Sequence, residues 1–573
     1  MKKNMSVEQY SELLLKARFP FEEMPGSNKA KSNSPGWLIF FEDVIKCYSR
    51  ISLKQAKTDV STDDPLLILI SPFMKVAIIQ LTSDLGICYE SLNLKCRRKF
   101  EHQLESKLVK VCKYSVTKMA AAQAGNSDVS NSHNAIENFV SSVYKKPHVF
   151  YMQYSVLARI LSSQSLYWLN SIKLLIKRLL NDISEVRSLS DSGETNTLAQ
   201  DVVQSIQTVQ IGLSDPHENA QTVVILSFFD GSKVVYKPKS MMPEFMFNEF
   251  IDYLNKLNNQ EEVMMTTLPV IDKGNYGWSK FVEHMQCSSE LERERFYQRM
   301  GMFSAVLYML RGTDYHHENI IACGEYPYLI DHEMLFYPIF IDPENKELLN
   351  QPFDELQESY YESVINTRMY PIVEKRVDGG MADVSAIGCY LSDIEKNVHL
   401  PLLHGDIPDA QNYLPHLLNG FSSIYKKIMD NKDELLAKDG ILQRFSNIDF
   451  RFNLRATSSY LSINNVSVIP EALINGEAFC NRIHSVRVTL PSVFSRGLPQ
   501  DVRLKELKIL CRLDVPRFTV ECDEKQLNID AESRSGEIFS VSGYKLVKRR
   551  IESSSVKDLE KQATYIKESL NSN

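Results

Sequence analysis

Asp314, His316 and Asn319 fall within six positions of one another in TDYHHENIIACGEYPYLIDHE, and Asp331 and Glu333 close that stretch. Phosphoryl transfer from ATP suits such a set, because it asks a protein for little covalent work. It needs a lysine on the nucleotide phosphates, oxygen ligands for a metal ion and a residue that positions the acceptor hydroxyl. Asp314 and Asn319 have the D-x-x-x-x-N spacing in which a kinase places its catalytic Asp ahead of a metal-binding Asn. Mg²⁺ prefers hard oxygen donors, so Asn319, Asp331 and Glu333 are its expected partners.

The elements that must position these groups can be read on either side. RERFYQRMGMFSAVLYMLRG, ending at Gly312, has helical periodicity and leads straight into the loop, and NIIAC and PYLI read as two strands turning at Gly324-Glu325. Upstream, TVVILSFF and KVVYK are Val/Ile-rich and joined by Asp230-Gly231, a strong hairpin signal. KVVYK ends at Lys237, where a phosphate-binding lysine should stand. No G-x-G-x-x-G loop precedes it. In its place is SDPHENAQ, Ser214 to Gln221, without a glycine, so Asp215 and His217 are expected to touch phosphate, metal or substrate by side chain. The nearer analogy is the lipid-kinase loop D-R-H-x-x-N, matched at Asp314, His316 and Asn319. Each signal alone arises easily by chance, and His317 is read as structural; the ordered set carries the argument.

From Val7 to about Gln200 the apolar spacing is helical, and PLLILISPFMKVAIIQL, with two prolines and Lys75, reads as a buried helix rather than a membrane span. Ala120 to His133 reads as a flexible loop. Beyond Tyr337 the pattern is again mainly helical, clearest from Tyr413 to Lys438, whereas FRFNLRATSSYLSI, Phe450 to Ile463, is strand-like. The expected organisation is a helical region 1–200, a core 201–345, elements completing the site over 346–545, and a helical tail 546–573.

With 573 residues and 43% hydrophobic content the chain can fill real cores, and a net charge of −7 argues against a nucleic-acid partner. The ten cysteines are scattered singly without zinc spacing, and the polar N-terminus lacks the apolar run of a secretory signal. Both point to a cytoplasmic protein.

Several blocks resemble the dehydratase domain of class II lanthipeptide synthetases. SDPHENAQTVVILSFFDGSKVVYKPKS is similar to the family's G-D-x-H-x-x-G block running into V-Y-K-P-[KR]-S, with Ser214 and Ala220 in place of the glycines. GTDYHHENIIACGEYPYLIDHEMLF resembles its D-x-H-x-E-N…G-E-x-P-x-L-I-D-x-E block, and RFNLRATSSY and DVPRF fit two later ones.

The resemblance implies an α+β fold: a bilobal kinase-like core related to lipid kinases, with extensive helical N-terminal and inserted elements. It implies ATP and Mg²⁺ as cofactors and a ribosomal precursor peptide with its leader as partner. Ser or Thr of the peptide is phosphorylated, and phosphate is then eliminated to leave dehydroalanine or dehydrobutyrine. Carried over by position, Lys237, Asp314, His316, Asn319 and Asp331 serve phosphorylation, while Arg451 and Thr457 serve elimination, with Arg455 a possible second guanidinium. Family members continue into a zinc cyclase domain not found before Asn573. Either a stand-alone dehydratase, with cyclisation done by another protein or not at all, or a truncated gene product is therefore expected, with a separate cyclase or export machinery as the further partners. The competing readings are a kinase that stops at phosphorylation, with no use for Arg451 and Thr457, and a silent peptide-binding scaffold.

Overall fold

The N-terminal periodicity folds into helices whose ends are set by local chemistry. In the computed structural model, which describes residues 5–22, 34–60, 64–125, 133–189, 199–257, 263–340, 362–375, 380–489, 498–530 and 532–571, the apolar run becomes the helix Pro65–Leu85. Asp64 caps it by accepting from the Leu66 amide, and Pro65 sits at its first turn, where no amide is needed. By length and composition this helix could cross a membrane, but half of its most apolar stretch is buried inside the protein. Residues 126–132 of the expected flexible loop, and the expected boundary at 345/346, lie outside the described residues.

The chain divides into two compact units. One comprises Met1–Pro238, Arg455–Val493 and Arg503–Pro516; the other Lys239–Leu454, Phe494–Val502 and Arg517–Asn573.

In the first unit the helices Leu94–Gln123 and Ser155–Ser188 accompany three antiparallel strands, β1 (Ile206–Ile211), β2 (Val224–Phe228) and β3 (Lys233–Lys237). Asn93 does two jobs. Its Oδ1 caps the helix by accepting from the Cys96 amide, and its Nδ2 donates to the carbonyls of Ile206 and Gln207. Polar groups at the start of β1 are thereby satisfied by a side chain. The β2–β3 hairpin turns as read: Gly231 has φ 87°, and Asp230 accepts from the Ser232 amide at 2.9 Å.

In the second unit the helix Glu290–Met309 is buried along most of its length. It packs closely on the helix Leu414–Asp430 through a reciprocal pair of glycines. A Cβ on Gly301 would lie 2.0 Å from the Leu417 carbonyl oxygen, and one on Gly420 would lie 1.9 Å from that of Gln298. Around them runs one apolar core including Phe303, Tyr370, Phe421, Tyr425 and Ile566. Three antiparallel strand pairings follow: β4 (Val270–Asp272) with β5 (Gly277–Lys280), β6 (Ile320–Cys323) with β7 (Tyr326–Leu329), and β8 (Asp449–Phe452) with β9 (Phe518–Glu521).

Two expectations are corrected. Among the described residues of 362–375 and 380–413 the chain forms turns, short 3₁₀ stretches and a pair of three-residue strands, not long helices, because Pro371, Gly380, Gly388, Pro401, Gly405 and Pro408 interrupt it. The strand-like patch is strand only over Asp449–Phe452; Thr457–Ser467 is helix. Its buried residues Tyr460, Ile463 and Ser467 recur at three and four positions, which is the helical period.

Candidate functional site

Asp314 follows the buried helix and adopts φ 73°, a left-handed conformation uncommon for a residue with a Cβ. Hydrogen bonds on both sides hold it there. The Thr313 amide donates to Met334 O and its hydroxyl to Asn366 O, and the Tyr315 amide donates to Thr367 O at 3.0 Å. A strained residue fixed by its neighbours in this way is the pattern of a working position.

The imidazole of His316 has a defined tautomer. Its Nδ1 accepts from the Glu318 amide at 3.3 Å, so the proton sits on Nε2, which lies 3.7 Å from Asp314 Oδ1. Asn319 donates its amide nitrogen to the Asp314 carbonyl at 2.8 Å, so its oxygen is the end that can face a cation. Burial raises the Asp314 pKa, with Asp331 adding to the rise and His316, Arg368 and Arg451 opposing it. An aspartate shifted upward is a better proton acceptor than an ordinary one. His317, read as structural, is structural: its Nδ1 donates to Val384 O at 3.0 Å, and its ring sits edge-on to His399.

Beyond the β6–β7 hairpin, Asp331 Oδ1 pairs with Lys239 Nζ at 2.7 Å and also accepts from the Glu333 amide. Glu333, expected among the metal ligands, has both oxygens on cations instead. Oε1 takes Arg451 Nη1 at 2.7 Å, and Oε2 takes Lys239 at 3.1 Å and Arg517 at 3.2 Å. Burial alone would raise its pKa, but Lys239, Arg451 and Arg517 outweigh that and hold it well below the usual carboxylate range. Among the described residues no three His, Cys, Asp or Glu side chains form a metal-holding group. Asn319 and Asp331 remain a chemically sensible pair for Mg²⁺, which commonly uses one or two protein oxygens and takes the rest from water and phosphates.

The first unit carries the other expected residues. Lys237 is buried at the end of β3. The loop Ser214–Gln221 is clamped onto the later block at Asp514–Pro516: His217 Nδ1 donates to Val515 O at 2.8 Å, the Val515 amide donates to Pro216 O, and Asp514 Oδ2 accepts from the Asn219 amide at 2.6 Å. Asp215 is half-buried in this loop. Glu218, Asn219 and Ala220 are all left-handed, with φ 46°, 68° and 66°, so the turn keeps a glycine-like backbone without glycine. Burial pushes Asp514 up to about 6 against the pull of Lys107 and the amides it accepts.

Thr457 is the first residue of its helix, behind Ala456, which provides no side-chain cap. Arg455 is not available to an anionic substrate. It is buried against Glu506, Nε to Oε1 at 2.8 Å, and that glutamate also takes Tyr460 and Arg487. Sequence reasoning missed Lys239, Arg368, Arg517 and Asp514. The signals for three were present but unassigned: Lys239 lies two residues after Lys237 in K-P-K, and Asp514 and Arg517 both belong to DVPRF.

The family described as "Domain of unknown function (DUF4135)" matches residues 154–393 and 391–521, which together make up more than half of the chain. Every block from SDPHENAQ to DVPRF lies inside those limits. The chain is also 26% identical over 404 residues to the lacticin 481/lactococcin biosynthesis protein LcnDR2 of Lactococcus lactis subsp. lactis, a match covering 64% of this chain and 41% of that relative.

Proposed function

The chain belongs to the DUF4135 family, and from that premise we propose that it modifies a lanthipeptide precursor, as a dehydratase with a kinase-like core. The observation that supports this most is the Asp314 cluster: a left-handed aspartate with a raised pKa, a histidine whose Nε2–H is directed toward it, and an asparagine bonded to its carbonyl.

In this reading Asp314 accepts the proton of the attacking Ser or Thr hydroxyl, and His316 orients it. Asn319 and Asp331 would hold Mg²⁺, whose charge neutralises the phosphates, and Lys237 serves the nucleotide phosphates with Asp215 and His217 in support. Elimination then takes the Cα proton onto a basic side chain. The electron pair of that C–H bond becomes the second bond of Cα=Cβ, and the Cβ–O bond breaks, its pair leaving on inorganic phosphate. Arg451 stabilises the departing anion. Thr457, which the family resemblance assigns to the same step, contributes its hydroxyl to elimination. ATP, Mg²⁺ and the precursor with its leader are the implied partners.

Co-expression with the precursor peptide encoded beside the gene, followed by mass spectrometry, tests the division of labour. Asp331→Ala is expected to leave the peptide unmodified, and Arg451→Ala to accumulate phosphorylated peptide without water loss. The same unmodified product from both variants would remove Arg451 from the elimination step. Phosphate gain without water loss in the wild type would favour the kinase reading.

A further inference from the structure

Glu218, Asn219 and Ala220 are left-handed in succession although none is glycine, and a residue with a Cβ stays in that region only where its surroundings hold it. The loop closes on itself in part. The His217 and Gln221 backbones exchange two hydrogen bonds, at 2.9 and 3.1 Å, and Gln221 Nε2 donates to Glu218 O. The amides of Asn219 and Ala220 instead both go to one carboxylate oxygen, Asp514 Oδ2, at 2.6 and 3.4 Å. Val515 adds two bonds, its amide donating to Pro216 O and its carbonyl accepting from His217 Nδ1. The turn is therefore held by a segment 295 residues further along the chain.

Asp514 is itself fixed. It is only 4% exposed, its amide donates to Ile509 O, and Asn464 Nδ2 donates to its carbonyl. Two successive amides converging on an anion is the arrangement with which a glycine-rich loop takes a phosphate. Here the anion is a side chain of the protein, so those two amides are already engaged. Asp215 and His217, the loop residues expected to contact the nucleotide, are both placed by the same segment. The Val515 carbonyl orients the His217 ring, and Asp215 precedes a proline whose carbonyl is tied to the Val515 amide.

We propose that Asp514 is a positioning residue of the nucleotide step: its carboxylate fills the place on the loop amides that a phosphate takes on a glycine-rich loop, and so holds Asp215 and His217 in the form that receives Mg·ATP. This rests on the dehydratase reading given above and deepens it. Asp514 makes and breaks no covalent bond. Its negative charge matters because a hydrogen bond to an ionised acceptor is about twice as strong as a neutral one.

Burial pushes the Asp514 carboxyl up to about 6, against the pull of Lys107 and of the amides it accepts. The titratable groups around it are Lys107 on the helix Leu94–Gln123, Tyr167 on the helix Ser155–Ser188, and His217 and Glu218 in the loop. A fall of pH through about 6 removes the charge that holds the turn.

The test uses the full-length protein with the precursor peptide present and reads the dissociation constant of Mg·ATP by calorimetry. At neutral pH, Asp514→Ala is expected to weaken Mg·ATP roughly 10-fold and to leave the affinity for the precursor peptide unchanged. Asp514→Asn keeps an acceptor oxygen without the charge and is expected to lose less. The ratio of wild-type to Asp514→Asn affinity is expected to approach one as pH falls through about 6, where the wild-type side chain is also uncharged. Titration of ATP and of the neighbouring groups is common to both proteins and cancels from the ratio. Wild-type Mg·ATP affinity in Asp514→Ala, or equal losses of nucleotide and peptide affinity, would overturn the inference. If Asp514→Ala does not fold, as judged by circular dichroism, Asp514→Asn decides: a ratio of one at neutral pH, or one that does not change with pH, refutes the assignment. A wild-type protein that binds no Mg·ATP beside the peptide removes the dehydratase reading together with this inference; a wild-type protein that binds it while both variants match removes this inference alone.

Discussion

Asp314 combines backbone strain and an upward-shifted carboxyl in one residue, and both follow from where the chain puts it. The loop leaves a buried helix and is pinned at Thr313 and Tyr315, so the aspartate between them has a left-handed φ, and its burial disfavours the charged form. The sign of the consequence is definite. A carboxyl raised above its unfolded value contributes stability that is fully present below the unfolded pKa and is lost as pH rises through the folded one. The ionised form that accepts a proton is therefore the less stable form. The phosphorylation rate is expected to rise with pH along an acid limb lying above the ordinary aspartate value of 3.8, and Asp314→Asn is expected to abolish that activity. A pH–rate profile of phosphopeptide formation checks this; a limb at or below 3.8 would contradict it. At this scale Asp314, His316, Asn319 and Asp331 were legible because the D-x-H-x-x-N spacing and the following hairpin are local. The ion pairs of Glu333 with Lys239, Arg451 and Arg517 were not legible, because they arise only where residues distant in sequence converge on one carboxylate.

The loop Ser214–Gln221 shows how an element keeps its shape after losing the residues that normally shape it. Ser214 replaces one expected glycine, and its hydroxyl accepts from the Val223 amide at 3.0 Å; Ala220 replaces the other and stands at φ 66°. A left-handed alanine costs roughly 1 kcal/mol, and the Asp514 clamp holds it in place. Ala220→Gly is accordingly expected to raise stability by about 0.5 kcal/mol, once the greater freedom of glycine in the unfolded chain is set against the relieved strain. Chemical denaturation measures this, and a destabilised variant would show that the strain is not real. The hairpins at Gly231 and Gly324 were readable from their turn residues. The helix at Thr457 was not: Phe450, Phe452 and Leu454 alternate as a strand should, and only the burial of Tyr460, Ile463 and Ser467 reveals the change of period. Nor did the sequence reveal Gly301 and Gly420 as a contact, since they are far apart in the chain and neither lies in a turn.

At the scale of the whole molecule, the expected functional residues are shared between the two units. Asp215, His217, Lys237 and Thr457 belong to the first, and Asp314, His316, Asn319, Asp331 and Arg451 to the second. The helical character of the first 200 residues and of the C-terminal tail was legible from long amphipathic runs. The interleaving was not: residues 455–493 and 503–516 return to the first unit, and pairing over such separations leaves no local signal. A nucleotide that binds only the folded protein stabilises it by mass action, by about 2.7 kcal/mol at a hundred times its Kd. Mg·ATP is therefore expected to raise the Tm of the wild-type protein and to raise that of Asp331→Ala less; no shift in the presence of both Mg·ATP and the precursor peptide would favour a silent scaffold. The central claim is dehydration, and it is tested most directly by the mass of the precursor peptide co-expressed with this protein. Loss of one or more waters, abolished by Asp314→Ala, is the expected result. An unchanged mass, or phosphate gained with no water lost, would contradict the account.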